Sequence, residues 1–187
     1  NSNISNGMGS PVNGLFKVIN SFFISSMINL PSSHFVSEKS IFLSKNESGS
    51  MLSIGNTEIS NSSFIGYNKS LLINGIKISG RAGYNIGGNT DISNSTLLNF
   101  NSGLVFDGKN TLSVTNNNII SNVLYGIKNN TVYDLILENN FWGTSIESEI
   151  QDAIYDYGDD IDLGAVDYSP FSTTLNTTAP ISPPSNV

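Results

Sequence analysis

The sequence predicts an all-β fold: a right-handed parallel β-helix, a solenoid closed near its C-terminus by a short capping α-helix. Three observations carry this prediction. A six-residue motif centred on asparagine recurs along the chain, glycines keep time with it, and aliphatic and small polar residues are evenly mixed between them.

The mixture narrows the fold class. Asn and Ser contribute 27 and 30 of 187 residues, a bias that by itself suggests disorder. Ile, Leu, Val and Phe are nevertheless spread evenly through that background, as a thin, continuous core with frequent turns requires. Asn, Ser, Thr and Gly compete with helix through local hydrogen bonds and backbone freedom. Ile, Val and Phe suit strands.

The motif is apolar-x-Asn-(Ser/Asn)-x-apolar. It reads Val18-Ile19-Asn20-Ser21-Phe22-Phe23, then Ile59-Ser60-Asn61-Ser62-Ser63-Phe64, then Ile92-Ser93-Asn94-Ser95-Thr96-Leu97. It returns as Val114-Thr115-Asn116-Asn117-Asn118-Ile119 and Leu137-Glu138-Asn139-Asn140-Phe141-Trp142. The steps are 41, 33, 22 and 23 residues. The last two are one coil each, the first reads as two coils, and the 33-residue step reads as one coil with an insertion near Arg81–Asn89. Gly14-Leu15, Gly75-Ile76, Gly103-Leu104 and Gly126-Ile127 each open a short alternation of apolar and polar residues, the pattern of a half-buried strand.

Such a coil holds three short strands, each paired with its equivalent about 4.8 Å along the axis. Asparagine sits where the chain turns, because it tolerates the left-handed backbone region and its amide can bond neighbouring turns. Asn61, Asn94, Asn116 and Asn139 are therefore expected to stack as a turn ladder. The coils are assigned to residues 1–143 and are expected to continue upstream.

A cap is expected at 144–171. Thr144 or Ser145 can start a helix with Glu147 as capping-box partner. Ile146, Ile150, Ala153 and Ile154 then fall on one face. Gly158 turns the chain, and Ile161, Leu163, Val166 and Tyr168 can form a last strand before Pro170. A solenoid needs such closure, since its last coil otherwise exposes strand edges and core. Residues 172–187, rich in Thr, Ser and Pro, read as an extended linker to a downstream module, and the last of them resemble the entry into a fibronectin-type or similar sandwich module.

These repeats resemble those of the pectin-lyase-like parallel β-helix superfamily, over roughly residues 13–171. The end is similar to the closing segment of many secreted bacterial and archaeal β-helix proteins. That similarity rests on Asn139-Asn140-Phe141-Trp142-Gly143-Thr144, followed by Ile150, Ile154, Asp156, Gly164, Val166, Tyr168, Pro170 and Phe171. The resemblance implies a fold and an exported protein. It leaves activity open, because lyases, hydrolases, adhesins and inert scaffolds share that fold.

Several function classes are excluded or disfavoured. Cysteine is absent, so there is no disulfide framework and no thiolate metal site. No run of 18 apolar residues is present to span a membrane as a helix. Up to residue 135 there are eight basic and six acidic residues; beyond it there are nine acids and no bases. The net charge of −7 is thus a property of the C-terminal segment, and no basic stripe invites nucleic acid. His34 has no second His or Cys to complete a metal site or triad.

The candidate ligand-binding residues are Lys77, Arg81, Tyr84, Asp107, Tyr125 and Lys128. Lys77 and Lys128 each lie two residues after a landmark glycine and should point outward on one face, with Val105 between them. Asp107 and Asp134 can complete a shallow polar groove there. A polysaccharide lyase uses such a Lys or Arg as base, often with Ca²⁺. Asp156, Asp159, Asp160 and Asp162 are the candidate Ca²⁺ ligands, although their spacing does not match an EF-hand loop. Trp142 is expected to pack under the cap rather than stack on a sugar. Asn46, Asn68 and Asn176 stand in glycosylation sequons.

The expected function is a non-catalytic extracellular surface module, a stalk or adhesin segment, with a polysaccharide or cell-surface glycan as partner. Two alternatives are the C-terminal part of a β-helix polysaccharide lyase or glycoside hydrolase, and a structural subunit of an extracellular filament or coat.

Overall fold

A computed structural model describes residues 14–25, 28–44, 49–66, 73–79, 88–109 and 111–181. The chain forms a parallel β-solenoid. Its strands are β1 (Leu15–Ile19), β2 (Phe22–Ser25), β3 (Ile28–Glu38), β4 (Ile41–Ser44), β5 (Gly49–Ser60), β6 (Ser63–Gly66), β7 (Ile73–Ile78) and β8 (Asn89–Ser93). They continue as β9 (Thr96–Leu98), β10 (Ser102–Phe106), β11 (Thr111–Thr115), β12 (Asn118–Ile120), β13 (Tyr125–Asn129) and β14 (Leu135–Ile136). The helix α1 (Glu147–Asp152) follows, then β15 (Ile154–Tyr155) and β16 (Val166–Asp167).

Each coil passes three faces, and every described strand pairing is parallel. Face A stacks β1, the second halves of β3 and β5, then β8 and β11. Face B stacks β2, β4, β6, β9 and β12. Face C stacks the first halves of β3 and β5, then β7, β10, β13 and β15. The core is a set of in-register columns. On face C, Ile28, Leu52, Ile76, Leu104, Ile127 and Ile154 follow one another inward, all buried. On face B, Phe23, Phe42 and Phe64 stack with ring centroids 5.1 and 4.6 Å apart, and Leu97 and Ile119 continue the column. Offset stacking of this kind adds about 0.5–1.5 kcal/mol per pair beyond area burial.

The A–B corner is where the motif asparagines lie. Asn20, Asn61, Asn94, Asn116 and Asn139 all have positive φ, between 46° and 61°. Lys39 holds the same conformation at φ 49° and marks the coil boundary inside the 41-residue step. The extra residues of the 33-residue step fall between Ile78 and Asn89.

The expected amide ladder lies one residue further on. Ser21, Ser40 and Ser62 donate their backbone N–H to the hydroxyls of Ser40, Ser62 and Ser95 at 3.1–3.2 Å. Ser95 N and Asn117 N then donate to the Oδ1 atoms of Asn117 and Asn140, both at 2.9 Å. The physical reason is direction. The left-handed residue turns its side chain outward, and the next residue points in, where its polar atom satisfies the buried N–H of the coil before.

The glycine landmark has a packing cause on face C. A Cβ on Gly75 would lie 2.5 Å from the Gly103 carbonyl oxygen, and one on Gly103 would lie 2.8 Å from that of Gly126. Gly14 does not share this role, since it precedes β1 on face A, where Leu15 pairs with His34.

The cap contains the expected short α-helix, and its details differ. Helix α1 is six residues long, begins after Ile146, and has no side-chain cap; Thr144 Oγ1 instead accepts from Ile146 N at 3.1 Å. Ile150 is buried while Ile146 is exposed. Ile154 belongs to β15, which adds to face C, and of the expected last strand only Val166–Asp167 pairs, with β14. Trp142 is 5% exposed, continues the face B column, and meets Tyr168 edge-on at 6.2 Å.

Residues 172–181, expected as linker, lie against the solenoid as a strap. Ser172 N donates to the Asn140 carbonyl at 2.9 Å. Further along, Asn118 clasps the Asn176 backbone, accepting from its N at 2.9 Å and donating to its O at 3.0 Å. Ala179 is buried, and the Ser63 hydroxyl donates to the Pro180 carbonyl. The strap therefore runs back across several coils of face B.

Candidate functional site

The outer surface of face C carries a candidate site. Strand pairing fixes it: Lys77, Val105, Lys128 and Tyr155 are in register on β7, β10, β13 and β15, and Ser102 and Tyr125 are in register beside them. Lys77, Val105 and Lys128 alternate with the buried Ile76, Leu104 and Ile127 and so face outward, while Tyr125 is placed beside them by its ring contact with Tyr155. The result is a shallow shelf of about 320 Å³. Asn74, Asn101 and Asn130 also line it.

Both lysines of the shelf are engaged locally, one by a carboxylate and one by a ring. Lys77 Nζ lies 2.5 Å from Asp107 Oδ2, and Asn130 Nδ2 donates to the other Asp107 oxygen at 2.7 Å. Lys128 Nζ sits over the Tyr155 ring, 4.7 Å from its centroid. A cation in that position is attracted by the ring quadrupole, worth about 0.5–1 kcal/mol when exposed. Tyr125 leans on Tyr155 at 5.3 Å with an interplanar angle of 53°. The shelf thus offers an ammonium group, two adjacent phenol rings and several carboxamides.

The other sequence candidates separate from this shelf. Asp134 is turned away: its Oδ1 accepts from Ala165 N at 2.8 Å. Arg81, Tyr84, Asn46 and Asn68 lie outside the described residues. Three of the four cap aspartates accept from backbone N–H groups in local turns, and Asp162 takes part through its backbone N–H. Asp156 accepts from Gly158 N and Val166 N, Asp159 from Asp156 N, and Asp160 from Asp162 N. Among the described residues, no three His, Cys, Asp or Glu side chains converge as a metal centre.

Asn176, the sequon residue of the C-terminal segment, lies in the strap. Its Nδ2 donates to Asn94 Oδ1 and the Asn116 carbonyl, and its Oδ1 accepts from Thr178 N and Oγ1. A glycan on that nitrogen would replace one of its two N–H donors and so remove one of the two bonds it donates. His34 pairs with Glu58 at 3.1 Å across neighbouring coils, a partly exposed pair of small energetic weight.

Sequence reasoning missed Tyr155, Asn74 and Asn130. Tyr155 was hidden because its segment reads as the end of a helix, whereas two residues, Ile154 and Tyr155, rejoin the sheet. Asn74 and Asn130 were hidden in a chain where asparagine is commonplace.

No protein-family model matches the chain, and no curated protein or solved structure matches it. Fold and surface together define the class: a parallel β-solenoid with a mixed aromatic and polar shelf on one outer face. Among the described residues, no helix is long and apolar enough to cross a membrane.

Proposed function

We propose that this chain is a non-catalytic extracellular surface module, a stalk or adhesin segment, that holds a polysaccharide or cell-surface glycan on face C. One observation carries the reading: Lys128, Tyr125 and Tyr155 meet on one outward surface. In this reading a pyranose ring rests on a tyrosine, and Lys128 receives an acidic substituent. Neighbouring Asn side chains bond ring hydroxyls. The lean away from catalysis rests on how the charges are used. Lys77 and Asp107 are spent on each other, and Lys128 on a ring, rather than aimed together at a reacting atom. Kinship with the pectin-lyase-like branch is part of the same proposal. It is supported by coils of 22–23 residues at the C-terminal end and by a tryptophan stacked beneath the cap.

The test is a glycan array followed by titration of retained acidic and neutral glycans. Lys128→Ala and Tyr125→Ala are expected to weaken an acidic hit several-fold each, and added salt to weaken it further. Unchanged binding in both variants would remove the shelf from the reading. Formation of unsaturated uronate from an acidic polysaccharide would replace the module by a lyase.

A further inference from the structure

A second surface, on the opposite side of the coil from the shelf, has a different chemistry. The strap does not lie flush on the turn column. Between them is a cleft of about 470 Å³, walled on one side by the A–B corner and on the other by Thr174, Leu175 and Thr177.

Three features define what it can hold. First, the corner asparagines present outward carboxamides one coil apart, about 4.8 Å. Those of Asn116 and Asn139 are exposed and make no hydrogen bond among the described residues, while Asn94 Oδ1 is taken by Asn176 Nδ2 at 3.2 Å. A carboxamide donates and accepts at once, so it can serve either role towards a hydroxyl. Second, two half-buried rings border the cleft: Phe141, next after Asn118 in the outward column, and Phe171, beside Tyr168 at 6.2 Å. Third, no Lys, Arg, His, Asp or Glu lines it.

These features discriminate among ligands. An anion finds no cation there, on a chain of net charge −7. A metal ion finds no carboxylate. A purely apolar molecule would cover carboxamides without satisfying them, at a cost. A neutral sugar fits each feature: hydroxyls for the carboxamides, C–H faces for the rings. The coil repeat is close to the length of one hexopyranose in an extended chain, so successive asparagines can meet successive sugars.

We propose that this cleft is a binding site for a neutral oligosaccharide, read by Asn116 and Asn139 and bordered by Phe141 and Phe171. The site shares no residue with the face C shelf and stands or falls separately from it. Its walls are held before ligand arrives, because the Asn118 clasp and the Ser172–Asn140 bond fix the strap.

The experiment titrates the full chain with cello-, manno- and chito-tetraose by calorimetry. At least one tetraose should bind saturably, with no loss on raising salt and none in Lys128→Ala. The double variant Asn116→Gly, Asn139→Gly removes both carboxamides while keeping residues that tolerate positive φ. It should weaken binding roughly tenfold or more, the scale of two neutral hydrogen bonds. Thr174→Arg fills the cleft from the strap side, leaves the turns untouched, and should block binding; it decides the matter if the double variant misfolds. Absence of saturable binding by all three tetraoses would overturn the proposal. So would binding that survives both the double variant and Thr174→Arg, or that is lost in Lys128→Ala.

Discussion

Asn117 offers a sharp test of what holds the coils in register. Its side chain is fully buried and joins three coils. Oδ1 accepts from Ser95 N at 2.9 Å, and Nδ2 donates to Ile92 O at 2.8 Å and to Asn140 Oδ1 at 3.1 Å. Asn117→Ala leaves the Ser95 N–H buried without an acceptor, which costs about 1–3 kcal/mol. The two donated bonds add about 0.5–1.5 kcal/mol each, for a total of about 2–6 kcal/mol. Asn117→Ser behaves differently. Serine already fills this position at residues 40, 62 and 95, where its hydroxyl accepts the preceding coil's N–H at 3.1–3.2 Å. The serine variant should therefore cost less than alanine by at least about 1 kcal/mol. Urea unfolding gives the totals, and hydrogen exchange at the Ser95 amide gives the local term, which should rise steeply only in alanine. Equal destabilisation by the two variants, with equal Ser95 exchange, would refute the ladder as a stabilising element.

Two further outcomes follow from geometry. Gly103→Ala places a methyl 2.8 Å from the Gly126 oxygen and 2.9 Å from Asn122 Nδ2, so overpacking should cost about 1–3 kcal/mol in thermal or urea unfolding. Asn176→Ala removes all four side-chain bonds of the strap residue. It should release residues 172–181 to proteolysis and raise exchange at the Asn176 amide while leaving the Ser95 amide protected.

Much of the fold was legible because a solenoid repeats its instructions. The apolar phase of Phe64, Leu97, Ile119 and Trp142 shows in the spacing, since equivalent residues occupy one column. The coil boundary at Lys39 was hidden for a physical reason. Ser37 stands where Val18 and Ile59 stand in register, and Lys39 replaces asparagine. Ser37 is tolerated inside because its hydroxyl pairs with that of Ser62 at 2.9 Å. The strap left no periodic signal, because it docks mainly through backbone and carboxamide bonds, with Ala179 as an apolar anchor. Of the shelf, Lys77 and Lys128 were placed by their distance from glycine. Tyr155 required knowing that the chain returns to the sheet after the helix.

The strap also alters how the solenoid comes apart. In a simple stack each coil senses only its neighbours, so the end coil can peel away while the rest stays folded. Here a segment anchored at Asn140 is clasped again at Asn118 and reaches Ser63. Opening any coil between those points disturbs a contact belonging to the others. A one-dimensional array thereby acquires a long-range coupling. Over this stretch, fraying should give way to a shared threshold, with the coils failing as a block under pulling or heat.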